Sequence, residues 1–192
     1  MSVDYFVAIH GTNWPTPVVL NRCLGELDYP VAVIISSPSD ADQPLTTIPG
    51  ALGFVVSFES KRIDLEASIT KLGPDSPYAF GMRPDVPKEK VTLEDGATYT
   101  LSLSSSSDFI PLDLNADLQR IGAVGANFSH GDYVLQMSFR SEVDEYRAGF
   151  FLMAGLIKCA DGFGFEFQTN SFGTYAYADG LARAAADPDY WR

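Results

Sequence analysis

Polar and apolar residues alternate in several short segments of this chain, each no longer than a strand. Ile63, Leu65, Ala67 and Ile69 share one side of the first. Ala97, Tyr99, Leu101 and Leu103 do so in the second, and Tyr133, Leu135, Met137 and Phe139 in the third. Phe163, Phe165 and Phe167 form the fourth. A period of two places one face in a core and the other toward solvent, so each segment predicts a half-buried strand. Shorter apolar runs at Tyr5–His10, Val31–Ile35 and Leu52–Phe58 predict buried strands. Between them the spacing changes. Val18, Val19, Cys23, Leu24 and Leu27 recur at helical intervals behind Thr16-Pro17, a helix start, and predict a helix over 17–28. Val143, Tyr146, Phe150, Met153, Ala154 and Ile157 trace a second helical face. It begins at Ser141, with Asp144 three residues on as a loose capping box, and ends at Asp161-Gly162. A short helix is expected within 114–122, a strand within 171–178, and a last short helix capped by Asp179. The fold class is α+β: a largely antiparallel or mixed sheet with helices packed on one face.

The first 35 residues read as a β-α-β unit. Ser60-Lys61 is the expected hairpin turn between the third and fourth strands, and Asp95-Gly96 supplies a stronger turn signal further on. Residues 36–50 and the serine tract 104–107 read as loops. Pro74, Pro77, Pro84 and Pro87 mark residues 73–88 as an irregular excursion or linker. The chain 1–192 is expected to be a single domain, with sub-halves of about 1–72 and 91–187 joined by that proline-rich segment. No repeat of fixed period occurs. The three phenylalanines are expected to pack against the helix carrying Phe150, Met153 and Ile157, with Glu166 opposite them in solvent. Tyr175 and Tyr177 read as core packing rather than as a stacking platform for bases, which would need a positive groove.

Cys23 and Cys159 are the only cysteines. Too few for a disulfide framework or a zinc site, they read as small buried hydrophobes in a reducing compartment. The opening Met1-Ser2-Val3-Asp4 lacks the basic stretch of a secretory signal, and no run reaches the roughly 18 apolar residues that cross a bilayer. These features predict a cytoplasmic protein.

Charge narrows the possible partners. The 192 residues carry 13 Lys+Arg against 25 Asp+Glu, a formal net charge of −12, spread evenly over the two halves. The folded surface, not an acidic tail, must therefore hold it. Such a surface repels nucleic acid and anionic membrane and steers basic partners inward. The expected partner is a basic protein. The exposed acidic contacts are expected among Asp40 and Asp42 in the loop and Glu142, Asp144 and Glu145 at the start of the long helix.

Catalytic patterns are incomplete. His10-Gly11-Thr12-Asn13 follows a strand and resembles the oxyanion loop of lipases, but no G-x-S-x-G turn accompanies it. The same residues resemble one half of the two-histidine phosphoesterase motif. The other histidine, His130, precedes Gly131-Asp132 and does not supply the second half. His10, His130 and Asp132 are the residues a metal or a hydrolytic site would use, although their spacing offers no close ligand pair. Gly122-Ala123-Val124-Gly125-Ala126-Asn127 lacks the third glycine and the preceding strand of a dinucleotide fingerprint. The sequence therefore reads as a non-enzymatic acidic binding protein, without cofactor or metal, that neutralises a basic partner such as a toxin. In overall character, through no shared motif, it resembles bacterial immunity proteins. The alternatives are a small hydrolase with its site near His10 and His130, or a domain with another role.

Overall fold

The structure is a computed structural model and describes residues 3–35, 37–47, 54–72, 88–92, 98–102, 114–140 and 142–191. The proline-rich segment 73–87, the Asp95-Gly96 turn, the serine tract 104–107 and Ser141 lie outside them.

The chain is α+β. Its strands are β1 (Val3–Ile9), β2 (Val31–Val33), β3 (Phe54–Phe58), β4 (Lys61–Lys71), β5 (Lys88–Thr92), β6 (Thr98–Ser102), β7 (Tyr133–Phe139), β8 (Phe163–Glu166) and β9 (Ser171–Gly173). Its helices are α1 (Pro17–Glu26), α2 (Leu114–Arg120), α3 (Val143–Cys159) and α4 (Tyr175–Ala186). A seven-stranded sheet has the order β2-β3-β4-β7-β1-β8-β9, and every neighbouring pair is antiparallel. β5 and β6 pair separately as a hairpin. The first strand of the chain thus lies between β7 and β8, two strands from the chain's second half. β1 and β2 do not pair, because β3, β4 and β7 stand between them.

Local chemistry explains the elements. Thr16 caps α1 by accepting from the Val19 amide at 3.3 Å, and Pro17 occupies the first turn, where no donor is lost. The β3–β4 turn is Glu59-Ser60, one residue earlier than expected. Both residues take positive φ, 47° and 66°, the left-handed pair that matches strand twist in a two-residue hairpin. α4 begins at Tyr175, so Asp179 is not a cap. It lies inside the helix and pairs with Lys158 of α3 at 2.6 Å.

Apolar side chains fill both sides of the sheet. On one side α1, α3 and α4 cover Val7, Ile9, Val56, Leu65, Leu135 and Met137. Here α3 approaches so closely that a Cβ on Gly149 would collide with the Phe139 ring. On the other side Leu114 and Leu118 of α2 pack with Phe6, Ala8, Phe128, Val134 and Phe165. The phenylalanine strand therefore faces away from α3, against expectation. The cause is register: Phe6 pairs with Phe165 and Val7 with Gly164, so the rings join Phe6 while Gly164 turns toward Ile157 and Tyr177. Phe165 is fully buried, and Phe163 and Phe167 pack against the same cluster half-buried. Glu166 does lie opposite the rings, but it is 2% exposed rather than solvated. Its carboxylate accepts from the Gln168 and Thr169 amides and so organises the turn into β9. Tyr177 is half-buried beside it, whereas Tyr175 is exposed on α4.

The cysteines also depart from expectation. Cys23 of α1 and Cys159 of α3 form a disulfide across 136 residues, and among the described residues no free thiol remains. The helix–helix contact that brings them together is non-local and has no signature in the spacing.

Candidate functional site

β1 and β7 run antiparallel and end their pairing at Ile9–Tyr133. One step beyond, the loop leaving β1 meets the loop entering β7. This register alone carries His10 to Asp132, 122 residues away. Two glycines permit the approach. A Cβ on Gly11 would collide with the Gly131 carbonyl, and Gly131 itself has φ 101°.

Asp132 is buried at the centre of this junction. His10 Nδ1 lies 3.0 Å from Asp132 Oδ2, the Gly11 amide donates to Oδ1 at 2.9 Å, and the Ser129 amide donates to Oδ2 at 2.8 Å. Burial pushes the carboxyl upward. The Ser129 and Gly11 amides and the His10 ring outweigh it and hold the Asp132 pKa below its ordinary value. The His10 side chain is 50% exposed and lies 5.1 Å from the Phe128 ring, centroid to centroid. A neutral imidazole that donates from Nδ1 to Asp132 carries its lone pair on Nε2, the tautomer a general base requires. Among the described residues no hydroxyl hydrogen-bonds to the His10 ring. His130 is exposed and takes no part in the pair. Among the described residues no group of three or more His, Cys, Asp or Glu converges as a metal site. Of the residues proposed for chemistry, the structure brings together His10 and Asp132 and leaves His130 apart.

Because its folded-state pKa is lowered, Asp132 contributes stability above the unfolded aspartate value of about 3.9. That contribution is lost as pH falls through the depressed folded value. Asp132→Asn should therefore cost about 1–3 kcal/mol near pH 7, where the pair is complete. It should also flatten the acid limb of the stability curve. Urea unfolding of both proteins at neutral pH and near pH 3 checks this. Parallel acid limbs would show that Asp132 is not the group involved.

The acidic residues fall in two places. Asp40 closes a 3-10 turn, Pro38–Asp40, and Asp42 follows it in solvent. Ala41 between them accepts from the Val18 amide at 3.4 Å, so this pair sits at the start of α1. Glu142, Asp144 and Glu145 open α3, where negative charge complements the helix dipole. Asp144 pairs with Lys61 of the β3–β4 hairpin at 2.6 Å, and Glu145 accepts from the Arg140 amide at 3.2 Å. Glu142 is exposed and makes no capping bond.

The open part of the sheet offers one further feature. Glu66, Ser68, Gln136 and Ser138 line a shallow recess of about 150 Å³, with Arg140 paired to Glu66. The alternation of β4 and β7 shows these polar positions, but only their pairing puts them side by side.

No protein-family model, curated protein or solved structure matches this chain.

Proposed function

We propose that this chain is a non-enzymatic acidic binding protein that neutralises a basic partner such as a toxin, as an inhibitor or immunity protein does. The observation that carries the reading is how the surface cations are spent. Lys61, Arg62, Arg120, Arg140, Arg147 and Lys158 each pair with a carboxylate of the same chain. Exposed Glu26, Asp28, Asp42 and Glu142 stand outside those pairs, as do exposed Arg22, Lys71 and Arg183. With 13 Lys+Arg against 25 Asp+Glu the net field is negative, which favours fast, steered association with a basic surface. Among the described residues no helix is long and apolar enough to cross a membrane. The disulfide supports an oxidising compartment, where such bonds persist, over the reducing cytoplasm expected from free thiols.

The test is recovery of a partner from the host at low salt, followed by association kinetics. Asp42→Lys and Glu142→Lys are the informative changes, because among the described residues neither carboxylate is in an ion pair. Association should slow about tenfold or more from low to high salt, and one reversal should slow it further while the protein stays folded, with Glu142→Lys costing no more than about 1 kcal/mol through the α3 dipole. An association rate indifferent to salt and to both reversals would refute the reading. The His10–Asp132 hydrogen bond favours a second reading, a small hydrolase using Nε2 as general base. Hydrolytic turnover abolished by His10→Ala, with no basic partner bound, would select it.

A further inference from the structure

α1 and β2 form a unit at the border of the fold. β2 has three residues and is the terminal strand of the sheet, so only β3 pairs with it. Its outer edge is closed from within. Asn21 of α1 donates through Nδ2 to the Val33 carbonyl at 2.9 Å, and its Oδ1 accepts from the Val33 amide at 2.7 Å. One side chain thus satisfies the donor and acceptor that a further strand would take, and it ties helix to strand.

Three features hold this unit to α3. Leu20 and Leu24 enter the core. Leu24 lies so close over Gly155 that a Cβ there would collide with it. One turn further along α3, Cys159 is bonded to Cys23, the residue before Leu24. Both cysteines are half-buried rather than sealed in the core.

We propose that Cys23–Cys159 is a redox-operated clamp whose reduction frees α1 and β2 from α3 while the central sheet stays folded. A helix of ten residues is marginal without tertiary packing. β1 and β7, by contrast, each have a paired strand on both sides. Local opening should therefore begin at this border. Chemically, a thiolate of an external dithiol attacks one sulfur to form a mixed disulfide, and its second thiol displaces the remaining cysteine. The dithiol is oxidised to a disulfide, and Cys23 and Cys159 each gain one electron and one proton. The clamp stands on these contacts whatever the protein binds.

Hydrogen exchange read by mass spectrometry, on the full chain with and without dithiothreitol, tests the proposal. Reduction should speed exchange across residues 17–33 at least tenfold more than across β1 and β7. The Cys23→Ser/Cys159→Ser variant should reproduce that profile and ignore the dithiol. Equal acceleration in both regions, loss of all protection, or two titratable thiols in air-oxidised protein would each overturn it. If the double variant does not fold, reduction of the wild-type chain decides alone.

Discussion

Phe165→Ala should lower the unfolding free energy by about 3–5 kcal/mol. Phe165 is fully buried, stacked on Phe6 with centroids 5.1 Å apart and planes 10° from parallel, and Phe167 meets its edge at 5.3 Å. It belongs to the cluster of Leu118, Phe128 and Val134 beneath α2, the smaller of the two sides of the core. Truncation removes the transfer free energy of the ring and leaves a cavity that strand-held neighbours cannot fill. Phe163→Ala, at a half-buried position on the same strand, should cost distinctly less. Denaturant unfolding of the two variants checks both size and order. A cost below about 1 kcal/mol at Phe165 would mean that this side of the sheet is not packed as described.

Serine at both cysteines should cost about 2–5 kcal/mol at equilibrium. The bond closes a loop of 136 residues, and the chain-entropy account gives roughly 5 kcal/mol for a loop that long. Measured losses usually fall below that figure because unfolded chains keep some structure. Chemical denaturation of oxidised wild type, reduced wild type and the double variant should give two equally destabilised forms below the oxidised protein. Identical midpoints for all three would show that the bond contributes nothing.

Periodicity was legible and partnership was not. The alternation at 133–139 and 63–69 locates β7 and β4, and the Thr16-Pro17 signal locates the start of α1. These features depend on backbone repeat and on neighbours within a turn, so a linear reading contains them. The candidate site was half legible. His10 and Asp132 are visible as residue types flanking glycines, but their contact follows from the β1–β7 register, and no feature of either segment names the other. Asp144 and Glu145 appear as free charge in the sequence. The fold commits one to Lys61 and the other to the Arg140 amide.

The phenylalanine strand separates the two kinds of information. Alternation along any strand is enough to put Phe163, Phe165 and Phe167 on one side, and that much can be read residue by residue. Which side they take depends on strand pairing across the chain. Pairing of Phe6 with Phe165 placed the rings under α2, and Gly164 left room on the opposite side for Tyr177 and Ile157. The same division holds for Cys23 and Cys159: their helices follow from local spacing, and their bond follows from where α1 crosses α3. Local periodicity is set by bonded geometry, which sequence carries residue by residue. Facing and pairing are set by which distant surfaces bury one another, a property of the whole chain.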